Sequence, residues 1–227
     1  MTTHSLDRPI WHALSTRLSH LAVGSARALR FAPDIGPLAA ARDDSPESLQ
    51  ALSNLVAEHG NVVLLQVGES PLPPNTTAEM TALGVQMVAQ NLAPLEPDHR
   101  VERLTEADAR EMLELATLTK PGPFKARTHQ LGGFWGIKEN GKLVAMAGER
   151  MKLTGFTEVS GVCTHPDVRG RGYAGLLSRT VATQIQKRGE TPMLHVFASN
   201  TAAVSLYESL GFVLRCHVTV TMLAPSG

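Results

Sequence analysis

The 227-residue chain is 43% hydrophobic and 19% charged, with 21 basic against 21 acidic side chains, enough to bury a real core in one large domain or two small ones. A zero net charge argues against a protein built to coat nucleic acid or an anionic membrane. Its two cysteines, Cys163 and Cys216, exclude a disulfide framework and point to a reducing cytoplasm. No apolar run approaches the roughly 18 residues needed to span a bilayer. The N-terminal stretch, interrupted by Asp7, His12, Arg17 and His20, lacks the apolar core of a signal peptide.

The zero conceals an asymmetry. Residues 1–100 hold 6 basic and 10 acidic side chains, residues 101–227 hold 15 and 11, and no lysine precedes Lys120. An excess of positive charge in the second half suits an anionic partner there, and equally the ordinary charge difference between two lobes.

In chain order, Ser45 followed by Pro46 predicts a helix start, Leu49, Leu52, Leu55 and Val56 give it one apolar face, and Gly60 predicts its stop. The segment 62–67 reads as a buried strand ending in Gly68 and a proline-rich loop, and 83–89 as a second strand. The stretch 93–99, with Pro94 and Pro97, is the expected boundary between an N-terminal α/β lobe over 1–98 and a second domain over 99–227. Thr105 with Asp108 forms a capping-box pattern ahead of the face made by Ala109, Met112, Leu113 and Ala116. Lys120-Pro121-Gly122-Pro123 breaks that helix. Asn140-Gly141, between apolar runs at 134–137 and 143–149, predicts a type I′ hairpin. Further strands are expected over 157–164, 193–197 and 212–222, with helices over 172–187 and 200–210. In the last strand Phe212, Leu214, Cys216, Val218, Val220 and Met222 alternate with Arg215, His217, Thr219 and Thr221. The order implies an α/β fold with a mixed sheet.

The most informative segment runs over 162–174. A strand ends, Pro166 forces a turn, and a glycine-rich stretch with Arg169 and Arg171 opens a helix. Unpaired backbone N–H groups at a helix start, joined by the helix dipole, suit a phosphate or pyrophosphate. Gly170 and Gly172 let the backbone approach closely. A nucleotide phosphate loop would need Lys and Ser or Thr where Tyr173 and Ala174 stand. Gly170, Gly172 and Gly175 meet the dinucleotide glycine spacing, yet the acidic residue that fingerprint expects after the next strand is missing, since Glu190 precedes it.

Arg169, Gly172 and Ala174, directly after a strand and a proline turn, together with the segment 200–212 (Asn200, Ala203, Leu206, Tyr207, Gly211, Phe212), resemble the two signature blocks of the GNAT acyltransferase superfamily. The resemblance covers about 101–223. The wording at 121–124 and 143–150 is closest to the branch containing the C-terminal domain of glycine N-acyltransferase, and by analogy with that branch the first hundred residues form a degenerate GNAT-like half. The family's fold is a mixed, mostly antiparallel sheet flanked by helices.

The resemblance implies that backbone groups of Val162 and Thr164, with Cys163 between them, hold the pantetheine arm, and that amides of Arg169, Gly170, Arg171, Gly172, Tyr173 and Ala174 hold the pyrophosphate of acetyl-CoA. Tyr207 matches the family's general acid. Asn200 matches a position that contacts the cofactor arm, and it also suits a helix N-cap. Glu158 is the leading base, with its period-2 partners Ser160, Val162 and Thr164 on the same side; Glu149 is the rival, and water alone the third option. Phe124 and Arg127 flank the acceptor loop, where Arg127 suits a substrate carboxylate, although a surface arginine is the reading its type favours. Cys163 lacks a dyad partner and reads as a small buried side chain. His165, His195 and His217 lack the paired spacing of a metal site, so none is expected. The implied function is a cytoplasmic N-acetyltransferase acting on a small-molecule or peptide amine by direct attack in a ternary complex, with no nucleic-acid or membrane partner. The alternative is an inactive sensor that retains coenzyme A.

Overall fold

The computed structural model describes residues 4–92 and 94–226. A first helix α1 (Pro9–Ser15) precedes three short strands, β1 (Ala22–Gly24), β2 (Ala28–Phe31) and β3 (Ala39–Ala41), which form a small antiparallel sheet. Helix α2 (Pro46–His59) starts as the sequence predicts. The Ser45 hydroxyl accepts from the Ser48 N–H, Pro46 occupies the first turn, and Gly60 closes it at φ 77°. Strands β4 (Val62–Gln66) and β5 (Thr76–Ala89) follow, the second much longer than 83–89.

The remaining elements are β6 (Val101–Leu104), α3 (Ala109–Thr119), β7 (Phe134–Glu139), β8 (Lys142–Leu153), β9 (Phe156–Thr164), α4 (Tyr173–Lys187), β10 (Thr191–Phe197), α5 (Thr201–Ser209) and β11 (Phe212–Pro225). Thr105 and Asp108 form the capping box ahead of α3, and Lys120 ends that helix in the left-handed region. Asn140 and Gly141 both take positive φ (51° and 76°), which a type I′ turn requires.

One eight-stranded sheet runs in the order β4-β11-β5-β10-β9-β8-β7-β6, antiparallel at every pairing except β9 with β10. Strand β5 lies between β10 and β11, and β4 lies on the far edge of β11. The segment expected as a separate lobe over 1–98 therefore supplies two strands to the sheet of 99–227, and the 98/99 boundary separates no sheet. The expected linker begins at Ala93, which lies outside the described residues. Burial explains the integration: Leu6, Ile10 and Leu14 are fully buried in one cluster with Phe31, Met193 and Val218. The first residues of the chain thus cover apolar surface that β10 and β11 would otherwise expose.

Two bulges reset the alternation read from the sequence. On β11 the register passes from Leu214↔Met87 to Cys216↔Gln86, leaving Arg215 as the extra residue. The shift puts Phe212 in one core cluster and Cys216, Val218 and Val220 in another, and Leu214, expected inside, is 51% exposed. On β9 the pairs Gly148↔Ser160 and Met146↔Cys163 place Gly161 and Val162 opposite Ala147 alone, and Gly161 takes φ 63°.

Position, not residue type, sets the cost of filling two of the positive-φ glycines. At Gly60 (φ 77°) an added Cβ meets nothing within 4 Å, whereas at Gly211 (φ 96°) it would lie 2.1 Å from the Asn91 carbonyl oxygen. Gly60→Ala is expected to cost about 1 kcal/mol. Gly211→Ala should cost more than about 3 kcal/mol, and thermal unfolding at ~2–4 °C per kcal/mol resolves the two.

Candidate functional site

The site begins with a failure of strand pairing. β9 and β10 are parallel partners only at Phe156↔Thr191, Thr157↔Pro192 and Glu158↔Met193. Beyond that point β10 pairs with β5 through Phe197, while β9 follows β8 to Thr164 through the bulge at Gly161. The two strands part, and a cleft of about 310 Å³ opens between them. From β9 it is lined by Ser160, Gly161 and Val162; from β10 and α5 by His195, Asn200 and Tyr207. The loop 120–123, Arg150 and, from β4 and β11, Leu65, Val218 and Val220 also line it.

Where β9 ends, Gly170 (φ 81°) and Gly172 (φ 77°) carry the chain into α4. Among the described residues the backbone N–H groups of Arg171 through Gly175 donate to no acceptor, and the first bond of the helix runs from Leu176 to the Gly172 carbonyl. Such an array at a helix start suits a pyrophosphate. The buried Thr164 hydroxyl is likewise without a hydrogen-bond partner among the described residues. These unspent donors fit the arm and pyrophosphate of coenzyme A. Arg169 has no carboxylate partner among the described residues, its Nε standing 3.5 Å from the Thr164 carbonyl oxygen. Arg171 is held by Glu139 at 3.0 Å, which also accepts from the Tyr173 hydroxyl at 2.7 Å.

Tyr207 reaches the cleft from α5 and packs edge-on to Phe212, with ring centroids 6.0 Å apart. Burial, reinforced by the negative charge of Glu158, pushes its hydroxyl up to about 12. It therefore stays protonated at neutral pH and is available as a donor. Asn200 caps α5, its side chain accepting from the Ala203 N–H at 3.2 Å, and also faces the cleft.

The carboxylates nominated from the sequence are both occupied. Glu158 is wholly buried, receives Arg150 Nε and Nη2 at 2.6 Å each, and accepts from His195 Nδ1 at 2.7 Å. Burial alone would raise its pKa, but the Arg150 guanidinium and the imidazole N–H outweigh that and hold it at about 2. Glu158 thus lies beneath the cleft wall as an anchored anion, not as a free base. Its expected alignment with Val162 is undone by the bulge at Gly161: Val159 and Val162 join one core cluster. Glu149 is equally buried, bound by Arg188 at 2.7 Å and Lys152 at 3.0 Å, and does not line the cleft.

His195, considered in the sequence only for metal, has both ring nitrogens engaged. Gln86 donates to the Leu6 carbonyl at 2.8 Å through Nε2 and accepts from Arg215 Nη1 at 2.8 Å through Oε1, so its amide orientation is fixed. Its second N–H then meets His195 Nε2 at 2.8 Å, which leaves the imidazole proton on Nδ1, facing Glu158. Arg215 continues the chain to Asp7 at 2.7 Å.

Cys163 points away from the cleft into the cluster of Met112, Phe134 and Met146, and burial pushes its thiol up to about 11. Arg127 is clasped by Asp34 at 2.9 Å and by Gln130 on the surface. Phe124 lies beside the cleft, lining a small cavity with Arg150, Ser160 and Gly161. Sequence reasoning missed Arg150 and His195 as partners of Glu158, and Gln86 as the partner of His195. A glycine inside the apolar run Val159-Ser160-Gly161-Val162 was the available signal for the bulge.

Breaking the buried pair should cost stability before chemistry. Glu158→Gln is expected to lose about 3–5 kcal/mol at pH 7 by leaving Arg150 uncompensated. The native carboxylate is held below its usual value of 4.5, so its contribution is complete above that pH and fades as pH falls toward about 2. Urea unfolding of both proteins should show the gap closing across that window; a gap independent of pH would contradict the pairing.

Residues 134–221 match the FR47-like protein family. A segment of 77 residues is 38% identical to the [Ribosomal protein bS18]-alanine N-acetyltransferase of Escherichia coli, covering 34% of this chain and 51% of that protein. The chain thus spans about half the length of the curated relatives it matches. Over its full length it resembles a GCN5-related N-acetyltransferase from Kribbella flavida in fold, at 20% identity, TM-score 0.62, and coverage of 95% of this chain and 96% of that one. A putative acetyltransferase of the GNAT family from Novosphingobium aromaticivorans superposes with TM-score 0.93 at 41% identity, covering 99% of this chain and 100% of that one. With the sheet parted at β9 and β10 and the open amides leading into α4, that full-length relationship establishes that the chain belongs to the GNAT family.

Proposed function

We propose that the protein is an acetyl-CoA-dependent N-acetyltransferase of the cytoplasm that acetylates a primary amine by direct attack. The observation that carries this reading is the placement of the buried, protonated Tyr207 in the same cleft as the bulged strand segment 160–162. Acetyl-CoA supplies the activated acyl thioester. The unspent N–H groups of Arg171 through Gly175 bind the pyrophosphate, with Arg169 adding charge. Backbone groups at the Gly161 bulge orient the thioester carbonyl.

Tyr207 donates its hydroxyl proton toward the leaving sulfur. A thiol of ordinary pKa near about 8.5 leaves readily as an anion, so the donor assists without being indispensable. The amine's own proton passes to water, because Glu158, Glu149 and His195 are all engaged in bonds of their own. A protein or peptide amine as acceptor draws support from the curated relative that acetylates an alanine of a ribosomal protein.

The engaged carboxylates also favour a second reading, a sensor that binds coenzyme A without turnover. Thiol release from acetyl-CoA over a panel of amino acids, polyamines and peptide N-termini separates the two, silence across the panel favouring the sensor. Tyr207→Phe is expected to lower kcat by about 10-fold to 100-fold with KM little changed. Gly172→Val should abolish the rise in Tm on adding acetyl-CoA, because φ 77° is strained for a β-branched residue at the phosphate loop.

A further inference from the structure

A second cavity of about 590 Å³ lies beside the cleft and shares with it the wall formed by Lys120, Gly122 and Pro123. The two are also adjacent along one strand pair. The cavity is lined at Val63 and Met222 and the cleft at Leu65 and Val220, pairs that lie two residues apart in the β4/β11 register. That step is roughly 7 Å at the rise of a strand.

The lining of this cavity is electrostatically one-sided. It includes Arg30, His59, Lys120 and Lys125, and no Asp or Glu. Arg30 is the unusual member. It is 2% exposed, its Nε donates to the Phe31 carbonyl and its Nη1 to the His59 carbonyl, and no carboxylate pairs with it among the described residues. Nη2 has no hydrogen-bond partner among them either. Every other strongly buried charge here is compensated: Glu158 by Arg150, Glu149 by Arg188 and Lys152. A buried guanidinium without an anion is costly, and burial indeed lowers the proton affinity of this one. Such a group is stable where a ligand completes it.

The structure assigns Arg30 as the anchor for an anionic group on the acceptor, a carboxylate held in the second cavity while the amine enters the cleft. The two N–H groups of Nη2 and the second N–H of Nη1 remain without an acceptor among the described residues, an end-on edge that matches the two oxygens of a carboxylate. Because the cavity lies a two-residue step from the cleft, the acceptor carries its carboxylate several bonds from the reacting nitrogen, unlike an α-amino acid. This rests on the acetyltransferase reading for the identity of the cleft, but it can fail on its own.

The test is calorimetric titration of the full chain, saturated with coenzyme A, with ω-aminocarboxylates of three to six carbons and with their carboxamides. At least one acid should bind roughly tenfold tighter than its amide. Arg30→Gln should bring the pair to within about twofold, and Arg30→Lys should retain part of the preference, while acetyl-CoA still raises Tm in both variants. Equal binding of acid and amide by the wild type, no binding of either, or a preference that survives Arg30→Gln would overturn the assignment; the wild-type comparison decides even if a variant does not fold. An ω-aminoalkyl phosphonate that binds tighter than the acid would overturn the carboxylate. Thiol release from acetyl-CoA, measured in parallel, separates the two readings. Silence with the binding preference intact removes the transferase and leaves Arg30, whereas equal turnover of acid and amide removes Arg30 and leaves the transferase.

Discussion

The architecture depends on three residue pairs. β9 and β10 are joined at Phe156↔Thr191, Thr157↔Pro192 and Glu158↔Met193, and nowhere further along. A sheet that parts leaves backbone groups needing other partners. Here β5 holds the far edge of β10, and β8 holds the far edge of β9 through a bulge at a positive-φ glycine, so both strands stay in the sheet while the edges that face each other are left unpaired with one another. The gap that remains is the cleft, so the binding site is a consequence of where pairing stops.

A polar chain pins the point of parting. Arg150 on β8, Glu158 on β9, His195 on β10, Gln86 on β5 and Arg215 on β11 are joined in series, with Asp7 at the end. Each of five adjacent strands contributes one member. A half-satisfied buried network would be worse than an apolar core, and in this one the Glu158 carboxylate, both His195 ring nitrogens and the Gln86 amide are all engaged. It fixes the apex of the gap, keeps a negative charge close enough to raise the Tyr207 hydroxyl, and ties the first residues of the chain to the sheet. The bulge at Arg215, which spoils the alternation of β11, is what lets that guanidinium reach Gln86 and Asp7.

The −4 and +4 halves of the sequence are not two bodies with opposite charge. Strands β4 and β5 of the acidic half are built into the sheet, and the same half contributes Arg30, the buried cation without an anion. The excess of positive charge in the second half is partly neutralised internally, as at Arg150 with Glu158 and Arg171 with Glu139. Counting charges by sequence position located a basic loop at Arg169 but could not locate Arg30.

Local chemistry determined what was legible from the sequence. The Ser45-Pro46 helix start, the Asn140-Gly141 hairpin and the glycine-rich entry to α4 are set by residues within a few positions of one another, and all three form as expected. The paired motifs at 169–174 and 200–212 carried the family for the same reason, each motif being one turn and one helix start. Only tertiary structure decided the rest. The fate of Glu158 depended on Arg150 and His195, 8 residues before it and 37 after it. The place of β5 depended on a sheet edge more than 100 residues away, with Gln86 beside His195 at a separation of 109. Ionisable side chains and strand edges are settled by whichever partners long-range packing brings to them, and no short window of sequence contains those partners.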